Sequence, residues 1–484
     1  MRSSKSSLVV LALFSSLVST LGACGQGMDP NVPNRSPLAE KWQQRARASY
    51  RAGDMEDASQ ASDAGISAAP KDAEIRTLGA RVALAKLDYA KALKLTEGLQ
   101  TSDAHALRGR ALWYQGDIEQ AAEELEAMLR DPQVKDPWAR DVAKLARRGQ
   151  GRHPFAIEGG LVAAVEMPPA GPALIVPCEL EGERILALVS TAVGELIVDS
   201  ASRKEPAWVN LRFGDRVEVK DVPAFTQDLS GLSRQLGVPI KALLGVNLLR
   251  HIHVTFDRRG SQFVVRKSEP PAPPDGSRVP LFYVRGGGMI VRATLATKDE
   301  GFFPMLVDSS AMYPLAVDDS IFKKAGVDPT KLRSEPGMPQ IRTGVLPNLR
   351  IGSFDMPQVP AMQAKDIGEL RTQLDMDLGG IMGSSLLSVF RITFGDEGRF
   401  MWIEPDLGLT GMEGPPDVEG PRGRPEPLQP DPSRAAPGKD PRKGAASPPA
   451  PAAPPAKKPA PATPAPSTKP GPAAPAPPAG KSSK

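Results

Sequence analysis

Leu243-Leu244-Gly245-Val246-Asn247-Leu248-Leu249 returns 138 positions later as Ile381-Met382-Gly383-Ser384-Ser385-Leu386-Leu387. Asn210-Leu211-Arg212-Phe213-Gly214 returns as Asn348-Leu349-Arg350-Ile351-Gly352. Val222-Pro223-Ala224-Phe225 returns as Val359-Pro360-Ala361-Met362, and Val254-Thr255-Phe256 as Ile392-Thr393-Phe394, with order kept and offsets of 137 or 138. A nearly fixed offset across four separate motifs marks one structural unit used twice. The copies span residues 155–268 and 280–406, and residues 269–279 between them form a stiff Pro-rich linker.

Each copy reads mostly as strand, with β-branched and apolar runs separated by charged or glycine turns. Ala173–Leu180, a turn at Glu181-Gly182-Glu183 and Arg184–Val189 form a hairpin leading into Ser190-Thr191-Ala192-Val193. Met289–Leu295 and Phe302–Val307 form its counterpart, leading into Asp308-Ser309-Ser310-Ala311.

An apolar strand entering Asp-Thr/Ser-Gly, followed by a later apolar-apolar-Gly strand, resembles the retropepsin-like aspartic peptidases. The Leu-Leu-Gly-x-Asn-Leu-Leu run followed by Val-Thr-Phe-Asp resembles the soluble bacterial branch of that family. The resemblance covers about half the chain. It implies two lobes facing each other as a pseudo-dimer, each supplying one aspartate to a cleft floor. Two carboxylates held that close share a proton, and one activates a water while the other polarises the scissile carbonyl. Here the pattern departs from the family. Asp308 stands at the acid position of the second lobe, but Ser190 stands at that of the first, where a hydroxyl replaces the acid. Ala192 and Ser310 replace the glycine, while the loop hydroxyls Thr191 and Ser309 and the cleft-strand glycines Gly245 and Gly383 remain. The expectation is a peptidase-shaped cleft without the usual acid pair. A second register stays open: Leu196-Ile197-Val198-Asp199-Ser200-Ala201 also reads apolar-apolar-Asp-Ser-Ala, which makes Asp199 the first-lobe acid. Against it, Ile197 aligns with Leu315, and Asp199 falls beside Val317.

Residues 37–150 are rich in helix formers, with Gly-Asp and Pro at spaced positions. Ala58 to Ala92 is a step of 34 and Ala92 to Ala121 a step of 29. Small residues there let antiparallel helices approach, and proline at Pro70 and Pro132 ends the second helix of a unit. The segment resembles three degenerate tetratricopeptide units, with Trp138–Arg148 as a capping helix, and this implies a contact surface for a protein or peptide. A generic helical bundle is the alternative.

At the N-terminus, Arg2 and Lys5 precede an apolar Leu8–Val18 and then Leu21-Gly22-Ala23-Cys24. This is a secretory signal over residues 1–23. The small residues before Cys24 resemble the bacterial lipobox, which implies a lipidated Cys24 and a mature linker over 24–36. Gly25, not Asp, then implies an outer-membrane anchor facing the periplasm or the cell surface. No apolar run of membrane-spanning length follows. The tail 407–484 holds most of the Pro, Ala and Lys bias; 23 of the 51 prolines lie in residues 413–484. Such a composition buries too little surface to fold. Peptidoglycan, an anionic partner or plain solvent are its candidate surroundings.

The formal net charge is +4. Setting aside Arg2, Lys5 and a tail with 11 basic and 6 acidic residues leaves a body near −3, which argues against a nucleic-acid partner. Two cysteines, Cys24 and Cys178, exclude a disulfide framework, and Cys178 reads as a buried thiol. His251 and His253 read as one face of a strand, with no third ligand placed, so no metal or cofactor is expected. A Ser190–His253–Asp arrangement has nothing to set its geometry. Gly286-Gly287-Gly288 reads as a strand-entry turn, and Asp318-Asp319 as a helix start.

The fold class expected is therefore multidomain α + β: a helical repeat, two tandem β lobes and a disordered tail. Its function is binding of a peptide or protein by a non-catalytic cleft, or, in the alternative, an aspartic endopeptidase using Asp308 with a second carboxylate from Asp199 or from a homodimer partner.

Overall fold

The Gly-Asp turns of the helical segment set its geometry. The computed structural model describes residues 35–284, 287–295, 301–335, 338–365 and 367–405. The signal segment, Cys24, nearly all of the linker after it and the tail 407–484 lie outside the described residues. The first elements are α1 (Pro37–Arg51), α2 (Met55–Ala68), α3 (Ala73–Ala85), α4 (Tyr89–Thr96), α5 (Ser102–Gln115), α6 (Ile118–Leu129) and α7 (Pro137–Arg147). They pack as three antiparallel pairs and a final single helix.

Asp54, Asp88 and Asp117 cap α2, α4 and α6 by accepting from the N–H three residues on. The residue before each cap is left-handed: Gly53 at φ 76°, Leu87 at φ 59° and Gly116 at φ 91°. Leu87 bears a strain of about 1–2 kcal/mol that its glycine counterparts avoid. Its side chain offsets this by entering the central β core. An ion-pair ladder repeats along the stack: Arg47–Glu74 at 3.0 Å, Arg81–Asp103 at 3.9 Å and Arg110–Asp136 at 3.0 Å. These arginines follow one another at the same steps as Ala58, Ala92 and Ala121. Among the described residues no helix is long and apolar enough to cross a membrane.

The first β copy contains β1 (Ala156–Gly159), β2 (Val162–Glu166), β3 (Ile175–Leu180), β4 (Glu183–Val189), β5 (Leu196–Asp199), β6 (Ala207–Phe213), β7 (Val217–Gln227), β8 (Ile240–Leu244), β9 (Thr255–Asp257) and β10 (Gln262–Arg266). The second contains β11 (Ser277–Pro280), β12 (Phe282–Tyr283), β13 (Met289–Thr294), β14 (Phe303–Asp308), β15 (Leu315–Val317), β16 (Arg333–Glu335), β17 (Met338–Ile351), β18 (Phe354–Gln363), β19 (Gly380–Gly383), β20 (Phe390–Gly395) and β21 (Phe400–Pro405). The expected linker is shorter than 269–279, because Ser277–Pro280 pairs with β21 as a strand.

Each copy has its own sheet, β1-β7-β5-β8-β4-β3-β6 in the first and β12-β13-β14-β19-β15-β18-β17-β16 in the second. A third sheet, β11-β21-β20-β9-β10-β2, draws three strands from each copy in mirrored order. Its centre is a local two-fold axis. Ile392 faces Phe256 and Thr393 faces Thr255 across β20 and β9, and the two threonine hydroxyls lie 2.9 Å apart. Phe256 and Phe394, equivalent in the duplication, meet edge to face at 5.9 Å. The two lobes thus share one core.

Side-chain alternation divides each lobe's strands between two apolar layers. In the first lobe Val176, Ala187, Val189, Val198 and Leu244 point into the shared core. Ile175, Leu188, Ile197 and Leu243, on the opposite faces of the same strands, cluster with Leu112, Trp113, Leu125, Val142 and Leu145 of the helical segment. In the second lobe Val291, Val307, Val317 and Met382 point inward. Ile290, Leu306, Ala316 and Ile381 cluster with Tyr50, Met55, Ala58, Val82 and Ala85. The helical segment therefore lies along equivalent faces of both lobes.

Candidate functional site

β4 and β14 deliver Ser190 and Asp308 to the same structural place. Val189 pairs with Leu244 and Val307 with Met382, which are equivalents in the duplication. Beyond these strands the two loops cross and lock by reciprocal hydrogen bonds. Thr191 Oγ1 donates to Val307 O at 2.7 Å and accepts from Ser309 N at 3.0 Å. Ser309 Oγ donates to Val189 O at 2.9 Å and accepts from Thr191 N at 3.1 Å. Four bonds thus tie the floor of one lobe to that of the other.

Ser190 and Asp308 are joined indirectly. Ser310 Oγ donates to Asp308 Oδ1 at 2.5 Å, and Ser190 Oγ donates to Ser310 Oγ at 3.3 Å. Ser310 N also donates to Asp308 Oδ1, at 2.9 Å. Ser310 therefore supplies the hydroxyl that occupies the carboxylate. Burial pushes the Asp308 carboxyl above its ordinary range, and the bonds from Ser310 oppose that shift. Ser190 and Asp308 are both buried, at 1% and 5% exposed.

Gly245 follows β8 and Gly383 ends β19, each passing close to the loop of its own lobe. A Cβ would fall 2.1 Å from Glu195 O at Gly245 and 1.9 Å from Tyr313 O at Gly383. Only glycine permits this approach.

The structure does not bring Asp199 to Asp308. Asp199 ends β5, where its carboxylate accepts from Leu229 N at 3.3 Å and pairs with Lys241 Nζ at 3.3 Å. The strand register also corrects the alignment. Ile197 pairs with Leu243 while Ala316 pairs with Ile381, so Ile197 corresponds to Ala316 and not to Leu315. Pro314 is the extra residue that causes the shift. Asp199 then corresponds to Asp318, which caps the helix Asp319–Lys324 and pairs with Arg371. Both are structural acids, each matched to one cation.

His251 and His253 do not share a strand face. His251 ends the helix Val246–His251 and stacks on Phe155 at 4.4 Å, and His253 follows at φ 41°. Neither hydrogen-bonds Ser190, and among the described residues no group of three or more His, Cys, Asp or Glu forms a metal cluster. Gly286 lies outside the described residues, and Gly287 N donates to Val284 O at 2.9 Å ahead of β13. Cys178 is buried, and desolvation pushes its thiol up to about 12.

Sequence reasoning missed a polar cluster beside the dyad loop. Glu195, 5% exposed, accepts from Trp113 Nε1 at 3.3 Å. Burial raises its carboxyl above the usual range. Asn247 and Trp138, both close to the carboxylate, and the nearby Arg250 charge oppose the shift, although Asn247 Nδ2 and Trp138 Nε1 form no well-directed bond. Arg250, also buried, donates to Tyr89 Oη and to Tyr114 O, the latter at 3.3 Å. A charged Glu195 inside the apolar run Val193–Val198 was the available signal.

No family model and no curated protein matches the chain. Solved structures do. The helical part is similar to the Arabidopsis OM64 TPR domain, at 19% identity over 23% of this chain and 94% of that one, with a TM-score of 0.22. It is also similar to the first TPR of Spaghetti (RPAP3) bound to an HSP90 peptide, at 17% identity over 24% and 99%, with a TM-score of 0.23. A retropepsin-like aspartic protease from Rickettsia conorii is similar at 18% identity over 26% of this chain and 90% of its own, with a TM-score of 0.20.

Proposed function

We propose that this protein is a lipid-anchored, non-catalytic binding protein built on an aspartic-peptidase-like pair of lobes. Cys24 carries the anchor, at the outer membrane facing the periplasm or the cell surface. Peptide or protein partners are bound through the inter-lobe cleft and the helical repeat, and the tail reaches toward peptidoglycan or an anionic partner. The observation that carries this reading is the dyad itself: Asp308 hydrogen-bonds Ser310, and a serine hydroxyl stands where a second carboxylate is needed. A lone buried carboxyl has no partner with which to share a proton and activate water. No cofactor is required.

The alternative reading, an aspartic endopeptidase centred on Asp308, is favoured by the intact loop lock and the retained acid. Incubation of the purified chain with unfolded casein between about pH 3 and 7 separates the two. The binding reading expects no cleavage. Cleavage that disappears in Asp308→Asn overturns it.

A further inference from the structure

The strands that present Ser190 and Asp308 carry apolar side chains on both faces. The outer faces, on Leu188 and Leu243 in one lobe and Leu306 and Ile381 in the other, are covered by the helical segment. Polar contacts hold this cover at both ends. On the second lobe Asp377 N donates to Arg51 O at 2.7 Å, Arg51 pairs with Asp377 at 2.7 Å, and Arg81 pairs with Asp375 at 3.0 Å. On the first lobe Trp113 donates to Glu195 and Trp208 Nε1 donates to Leu145 O at 3.0 Å.

We infer that the helical segment is a lid docked in cis over the dyad-bearing face of both lobes, so that an extended ligand of that face must displace it. This rests on the reading of the face as a binding surface. Its energetics are two-sided. The apolar contact is large at both ends, with Tyr50, Met55 and Val82 buried against the second lobe, and the ion pairs Arg51–Asp377 and Arg81–Asp375 at that end are partly exposed, hence weak and salt-sensitive. Those pairs are the part of the contact that salt and substitution can loosen. The covalent boundary between α7 and β1 keeps the other end in place.

The test uses thiol labelling of Ser190→Cys in the full chain with Cys24→Ser and Cys178→Ala, read at residue 190 by peptide mass spectrometry. The lid predicts labelling slower by at least about a hundredfold than an exposed thiol. Arg51→Ala with Arg81→Ala raises the rate about tenfold, and so does raised salt. A disulfide from Arg51→Cys and Asp377→Cys, whose backbones already touch, suppresses labelling relative to Arg51→Cys alone. Labelling at the rate of an exposed thiol overturns the lid. So does a disulfide that leaves the rate unchanged, or a rate rise in the arginine variant no larger than its loss of global stability. Casein cleavage is scored separately and bears only on the catalytic question.

Discussion

Replacing Thr191 by valine keeps the shape of the side chain and removes its hydroxyl. Two bonds are lost, to Val307 O and from Ser309 N, and the second leaves a buried donor without its partner. A net contribution of about 1 kcal/mol for a hydrogen bond, plus about 1–3 kcal/mol for the orphaned N–H, puts the cost near 2–4 kcal/mol. Ser309→Ala removes the mirror pair and should cost a similar amount. Because the two side chains bond across one crossing, the double variant should depart from additivity by about 0.5–3 kcal/mol. Urea unfolding followed by tryptophan fluorescence and by circular dichroism reads each cost, provided the two probes coincide. Trp113 and Trp208, 5.8 Å apart at the lid, make the fluorescence sensitive to its contact with the first lobe. A loss below about 0.5 kcal/mol for Thr191→Val would refute the view that this crossing holds the lobes together.

Gly383→Ala should cost more than about 3 kcal/mol, since its Cβ meets backbone oxygens at Tyr313 and Ala311; a melting temperature within a few degrees of the parent would show otherwise. The raised carboxyls of Asp308 and Glu195 mean that the folded chain holds these protons more tightly than the unfolded chain. Their stabilising contribution is therefore full below the unfolded carboxylate range and is lost as pH rises through the folded values. Asp308→Asn should flatten that part of a stability-against-pH curve and raise stability at neutral pH, and a variant less stable than the parent at pH 7 would contradict this. Cys24→Ser should move the chain from the membrane to the soluble fraction, and unchanged fractionation would count against the anchor.

The duplication made the β architecture legible, because equivalent motifs must occupy equivalent places. Thr255 and Thr393 read as a repeated pair and meet on the axis. The helical periodicity was legible through Ala58, Ala92 and Ala121, and the arginine ladder follows the same steps. The seating of the helices on the lobes was not read. Its signal was present: β14 and β5 are apolar without alternation, and a strand buried on both faces needs a layer on each side. The one-residue shift after Tyr313 was missed because a short strand tolerates either register in sequence, while Pro314 settles it only in space. The role of Ser310 was hidden for a similar reason. A serine in place of glycine reads as a steric burden, and only the folded loop turns its hydroxyl onto Asp308.

The shared six-stranded sheet has a genetic consequence. In a two-fold homodimer, one codon change alters both halves at once. Here the halves are separately encoded yet interlocked, because each contributes three strands to the same sheet. One half therefore carries serine at 190 while the other carries aspartate at 308, and a change in either codon alters one side of the crossing alone.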